Sequence, residues 1–237
     1  MSGPDAPGSP IFEYNADRSY TENQGSEVLT PSTGGPQTYG VYSTNADRDA
    51  RYRTPRRYVE NTGSGSTYIA YGNAMAKPAS FTGFLVVSSD AANDYPMGCY
   101  DNSATNATGW HIGRRTPSSE TDFLISDGTD GTFVRTTDFT WVSGTLYVMS
   151  FQYTAGQTTG GIWVNGVSRA VTSVAIGGAS MSDSNSGTAQ TFTLLRSGAY
   201  TGTGAFDGRV YRMTIFNSVL SDAVRSDYES ALMAYYL

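Results

Sequence analysis

The chain has 237 residues, only 15% of them charged, and a net charge of −6. That length suits one all-β domain, and the acidic balance excludes the general positive field that draws proteins to nucleic acid or anionic membranes. Cys99 is the only cysteine, so no internal disulfide can form, and no run approaches the roughly 18 apolar residues of a membrane span.

In chain order, residues 1–10 are rich in Pro, Gly and Ser and cannot pack a core. They have neither the basic nor the apolar region of a signal peptide, so folding is expected in a reducing cytoplasm. Residues 1–30 are expected as an extended N-terminal arm and residues 31–237 as a β-sandwich. From Ile11 to Glu60 the pattern is irregular, and Asn-Ala-Asp-Arg occurs at 15–18 and again at 45–48, too little for a repeat architecture. One basic run, Arg48, Arg51, Arg53, Arg56 and Arg57, reads first as a solvated loop and second as a surface that docks an acidic partner.

Strand signals dominate from Thr67 onward. Tyr68–Tyr71, Phe81–Val87 and Trp110–Arg114 are short and apolar. Phe123–Ser126 runs through Asp127-Gly-Thr-Asp-Gly131 into Thr132–Val134, a strand, a turn and a strand. Leu146–Tyr153 alternates, with Tyr147, Met149, Phe151 and Tyr153 on one face, as a half-buried strand does. Ile162-Trp-Val-Asn-Gly-Val167 predicts a hairpin, since Asn-Gly supplies two positive-φ positions. Phe192–Leu195 is another strand. Val210–Phe216 alternates again, with Tyr211, Met213 and Ile215 opposite Val210, Arg212, Thr214 and Phe216. The one convincing helix is at the end, capped by Ser221. Its apolar stripe, Val224, Tyr228, Ala231, Leu232 and Tyr235, should lie across one end or edge of the sandwich. Evenly spaced strands and almost no helix predict an all-β antiparallel sandwich or jelly roll.

Four segments between Phe81 and Leu237 carry a resemblance. They are Phe84-Leu-Val-Val87, the stretch Trp141–Tyr153 with Gly144 before Leu146, the Asn165-Gly166 hairpin, and Phe206-Asp-Gly-Arg-Val210 through Asn217 followed by Leu220-Ser221. Together they resemble the laminin-G-like, concanavalin A-like lectin and glucanase jelly rolls. The resemblance implies the fold and leaves function open, because that fold hosts lectins, adhesion modules, virion proteins and glycosidases.

The chemistry is tested residue by residue. Glucanases of that superfamily carry a Glu-x-Asp-x-x-Glu strand; here Glu13, Glu22, Glu27, Glu60, Glu120 and Glu229 are scattered and none stands in such a motif. His111 is the only histidine, which excludes a zinc site of two or more and leaves a Ser-His-Asp site without independent support. It reads as a core-edge residue, and Cys99 as a small buried thiol. The expectation is a protein that is not an enzyme. Members of the fold often hold calcium at the rim, so calcium is the one cofactor considered, with Asp127, Asp130, Asp183 and Asp207 as ligands; turn chemistry explains the same aspartates equally well. Glycan binding needs exposed aromatics beside amides, which points to Tyr95, Tyr100, Trp110 and Tyr200, while Trp141 and Trp163 read as packing residues. The resemblance, the missing signal and the arm together suggest a tailed-phage virion protein, as capsid decoration, head fibre or tail adhesin. Its expected partners are a capsid or tail subunit, further copies of itself, or a surface glycan. A soluble carbohydrate-binding module is the alternative, and a glycan hydrolase or lyase comes third.

Overall fold

A computed structural model describes residues 4–8, 10, 12–15, 30–31, 58–62, 69–71, 80–90, 94–98, 108–115, 118–127, 131–154, 157, 160–176, 192–194 and 206–237. Within them run β1 (Phe12–Asn15), β2 (Thr30–Pro31), β3 (Val59–Thr62), β4 (Ile69–Tyr71), β5 (Phe81–Ser89), β6 (Asp94–Gly98), β7 (Thr108–Arg114) and β8 (Thr121–Asp127). β9 (Gly131–Thr136), β10 (Leu146–Tyr153), β11 (Gly160–Val164), β12 (Val167–Ser168), β13 (Val171–Ile176), β14 (Phe192–Leu194), β15 (Asp207–Phe216) and helix α1 (Asp222–Tyr236) follow.

The strands form two antiparallel sheets. The front sheet runs β15-β5-β10-β11-β12, and β1 and β3 divide the outer edge of β15 between them. The back sheet runs β13-β9-β8-β7-β6-β14-β4-β2. The sandwich expected from strand spacing is therefore the fold.

Its core is the inner faces of the two sheets. Leu85, Met149, Phe151, Met213 and Ile215 of the front meet Trp110, Ile112, Phe123, Ile125 and Val134 of the back, all fully buried. Phe81, Trp110, Phe123 and Phe151 form an aromatic knot, with ring centroids 5.2–6.1 Å apart, close enough for edge-to-face attraction on top of area burial.

Three expectations change. Leu146–Tyr153 is buried on both faces, not one, because α1 lies on the outer face of the front sheet and not at its end or edge. Phe84, Val86, Val148, Phe216, Tyr228, Leu232 and Tyr236 make a second, outer core there. On β15 the alternation breaks. Val210 pairs with Val87 and Arg212 with the next residue, Val86, so Tyr211 is an extra residue in a bulge. A bulge flips the faces beyond it. Val210 thereby joins Met213 and Ile215 in the inner core, while Tyr211 packs with the outer one. The helix also turns a different stripe inward: Arg225, Tyr228, Glu229, Leu232 and Tyr236 are buried, and Val224 is exposed.

The N-terminal segment is not wholly detached. β1, within the expected arm, pairs with Arg212–Ile215 of β15, and Ala6 packs against the outer core.

The Asn165-Gly166 hairpin forms as expected, with φ of 51° and 74°. Asn165 also accepts a bond at Oδ1 from the Val148 amide at 2.9 Å, tying the hairpin to β10. Asn165→Ala should therefore lose both the turn and that bond, lowering stability by about 1–2 kcal/mol in urea unfolding. Gly208 sits at φ 152°, and a Cβ there would run into the Ser88 carbonyl oxygen. Gly208→Ala should cost about 2 kcal/mol or more in the same assay; a stability equal to the parent's would contradict this close approach.

Candidate functional site

The inner faces of both sheets are packed and α1 covers the outer face of the front sheet. The outer face of the back sheet is itself buried at His111, Asp122, Leu124 and Ser126, and carries a partly exposed polar array at one corner. Phe123 and Ile125 point inward, so alternation turns Asp122, Leu124 and Ser126 outward. On β9, Phe133 and Arg135 share that outward face with Asp122, which Arg135 opposes directly.

Four charged side chains meet there. Arg135 Nε donates to Asp122 Oδ1 at 2.6 Å, with Nη2 3.4 Å from Oδ2. Glu120 Oε2 lies 3.6 Å from Arg135 Nε and 3.9 Å from Arg115 Nη1. Arg115 Nε is 3.7 Å from Asp122 Oδ2, closing the circuit. Ser118 Oγ donates to Glu120 Oε2 at 2.7 Å. The strand ends explain how Arg115 and Glu120 face each other. The Arg115 amide donates to the Glu120 carbonyl at 2.9 Å, and Ser119, at φ 55°, turns the chain between them. A positive φ in a non-glycine residue is uncommon and marks a position the surroundings hold in place.

The array has two cations and two anions. Asp122 is buried, while Arg115, Glu120 and Arg135 are half-exposed. The Arg135 guanidinium also lies 6.0 Å from the ring centre of half-buried Phe133. The site thus offers fixed donors, fixed acceptors and part of an aromatic face without net charge. Further along the same face His111, opposite Leu124 and Gly98, is buried. Burial lowers its pKa from 6.5 to about 3, so it is neutral at physiological pH, as a core-edge residue would be.

Of the residues expected as sites, the described ones, Trp110, Asp127 and Asp207, stand apart from one another. Trp110 is fully buried against Phe81 and Phe151 and offers no surface platform; its strand position points inward, which its flanking residues did not reveal. Tyr95 lies on β6, and its side chain is outside the described residues, as are Tyr100, Tyr200, Asp130, Asp183, Cys99 and the cluster Arg48, Arg51, Arg53, Arg56 and Arg57. Asp127 ends β8 at the far side from Thr121, whose hydroxyl accepts the Trp141 indole. Asp207 begins β15 near Ser89, and its carbonyl accepts the Asp90 amide at 2.7 Å. Ser89 also accepts the Gly144 amide, three residues from Trp141, so Asp127 and Asp207 stand at opposite ends of the sandwich. Among the described residues no three His, Cys, Asp or Glu side chains gather to hold a metal, and no helix is long and apolar enough to cross a membrane. Trp141 and Trp163 pack as expected, the first in the core and the second under α1.

No protein-family model matches the chain, and no curated protein matches it. Solved structures do. Domain 4 of AbnA, an extracellular GH43 arabinanase from Geobacillus stearothermophilus, solved with arabinotriose, is similar with a TM-score of 0.61 at 14% identity. That match covers 92% of this chain and 97% of the other. The NanB sialidase of Streptococcus pneumoniae matches with a TM-score of 0.54 at 17% identity, over 71% of this chain and 27% of the enzyme. A botulinum neurotoxin type C structure, concerned with cell entry through two ganglioside molecules, gives 0.59 at 12% identity, over 94% of this chain and 51% of the toxin. The likeness is of fold: an antiparallel β-sandwich. The chain spans nearly all of the arabinanase domain, but about a quarter of the sialidase and half of the toxin chain.

Proposed function

We propose that this chain is a non-catalytic, lectin-like domain that binds neutral carbohydrate at the partly exposed corner of its back sheet formed by Arg115, Glu120 and Arg135. The observation that carries the reading is the circuit of Arg115, Glu120, Asp122 and Arg135. A sugar hydroxyl both donates and accepts, so neighbouring hydroxyls suit an array of paired carboxylate acceptors and guanidinium donors. Balanced charge favours a neutral sugar over a sialic or uronic acid. Phe133 supplies an apolar edge for the sugar ring. The arabinotriose held by the similar arabinanase domain supports the ligand class. The non-catalytic reading is supported by the commitment of both carboxylates to arginine, whereas a glycosidase keeps one carboxyl as nucleophile or base and another as acid.

The test is titration calorimetry against neutral oligosaccharides chosen from a glycan array. Glu120→Gln and Arg115→Gln should each weaken binding about tenfold or more, because hydrogen bonds to charged groups are worth roughly 1.5–3 kcal/mol. Both residues are half-exposed, so the melting temperature should hardly move. Binding unaffected by either change would sink the site, and release of reducing ends from any bound glycan would sink the non-catalytic reading.

The same proposal sets the domain on a tailed-phage virion, as decoration, fibre or adhesin presented in many copies to a neighbouring subunit or a host glycan. Its support is the low charge and the Pro/Gly/Ser-rich start of the sequence. Co-sedimentation of the chain with particles is the expected result. A chain that binds sugar but never enters particles would overturn the setting and leave the sugar site standing.

A further inference from the structure

We propose that the outer edge of β15 is a strand-acceptor site, and that its occupant, β1 with the residues before it, exchanges between two copies of this chain. The inference is independent of the sugar site.

The argument begins with Arg212. It is a fully buried guanidinium on the outer face of the front sheet, under the Tyr228 ring at 5.6 Å. Its Nη2 pairs with the buried Glu13 carboxylate of β1, while among the described residues Nε and Nη1 have no hydrogen-bond partner. A buried cation without its anion is strongly disfavoured. The edge of β15 therefore cannot stand empty; it calls for an extended segment with a carboxylate at the position opposite Thr214, where Glu13 sits.

Beyond that ion pair, the backbone ladder holding the segment is short. β1 offers four residues of antiparallel ladder, and β3 takes the other half of the same edge. A four-residue edge strand opens more readily than a central one, and an opened copy carries an unpaired buried cation that drives the edge to refill. An opened copy has two ways to satisfy Arg212: its own segment, or the identical segment of another copy. The second makes the same contacts, so exchange carries no loss of contact energy. The fourteen residues from Ala16 to Leu29, between β1 and β2, can span about 45 Å when extended, long enough for the segment to reach a neighbour. Strand addition with one side chain read in a pocket is a common recognition mode, and here the pocket is specific for acid.

Charge reversal in the full chain tests this. Glu13→Arg places like charges at the acceptor, and so does Arg212→Glu, so each single variant rejects its own segment. Refolded together, the two should form an equimolar complex of twice the chain mass that neither forms alone, read by light scattering. The double variant Glu13→Arg/Arg212→Glu should return to the parent's behaviour. A well-folded double variant whose parent singles fail to complement each other would overturn the proposal. A second measurement does not depend on the reversed pair folding. The parent chain, refolded at rising concentration up to about millimolar, the effective range in which a tethered segment is matched by a free one, should show a growing dimer fraction that Glu13→Gln abolishes. A parent that stays monomeric throughout would also overturn it.

Discussion

Arg225→Met should cost the chain about 3–5 kcal/mol, while Arg225→Met combined with Glu229→Leu should stay close to the parent. Both residues lie on the buried side of α1, where the helix crosses β10 and β11. Arg225 Nη1 donates to both Glu229 oxygens at 2.8 Å, and Glu229 accepts a further bond from Ser150 Oγ. The Arg225 guanidinium carbon lies over the Trp163 ring, 3.8 Å from its centre. Ser150 and Trp163 are direct cross-strand partners, so a single patch of the front sheet receives both charges. Removing the cation alone strands a carboxylate that is only 2% exposed. Removing both exchanges a desolvated pair for apolar contact with Val148 and Leu232, which roughly balances. For a chain of this length the single change should lower the melting temperature by on the order of 10 °C. Equal losses in the single and double variants would show that packing, not an uncompensated charge, sets the cost.

The same patch shows where local pattern stops being informative. Alternation in Leu146–Tyr153 reveals which side faces the inner core, and Asn165-Gly166 reveals its turn, because both depend on residues next to each other in sequence. The second burial of Val148, Ser150 and Gln152 depends on a helix some seventy residues later. Gln152 Nε2 donates to the Leu220 carbonyl at 2.9 Å, just before that helix begins. An apolar-stripe reading of α1 selects Val224 and passes over Arg225 and Glu229, since charges enter a buried face only when a partner such as Trp163 or Ser150 awaits them. The bulge at Tyr211 is likewise set by pairing with β5, and nothing in Val210–Phe216 announces it. The candidate site was hidden for a related reason. Arg115 and Glu120 look like ordinary surface charges, and Arg135 meets Asp122 only through the pairing of β8 with β9. The aromatics chosen for glycan binding rested on flanking residues; for Trp110 the strand's phase, which flanking residues do not give, decides the matter.

Lowering the pH below 6.5 should weaken the chain through His111 before most carboxylates titrate. In the folded protein its pKa is about 3, and in the unfolded chain it is near 6.5. Between those values the unfolded state binds a proton that the folded state refuses, so stability falls as pH falls. The stabilising difference is fully present above 6.5, and its loss is complete below about 3. At pH 5 the loss should be about 2 kcal/mol, a size set by the unfolded value alone because the folded one lies far below. His111→Asn removes the titrating group, so the stability gap between parent and variant, measured by urea unfolding at pH 7.5 and at pH 5, should shift by that amount toward the variant. An unchanged gap would mean that the imidazole takes up its proton in the folded state at an ordinary pH. His111 stands two residues from Gly113, the cross-strand partner of Asp122, so the candidate site reports on the same strands. Because the folded state refuses the proton throughout this window, β7 and β8 keep their pairing, and carbohydrate affinity should hold from pH 7 to pH 5 while stability falls. A sugar affinity that declined in step with stability would mean that His111 takes up its proton in the folded protein and disturbs these strands.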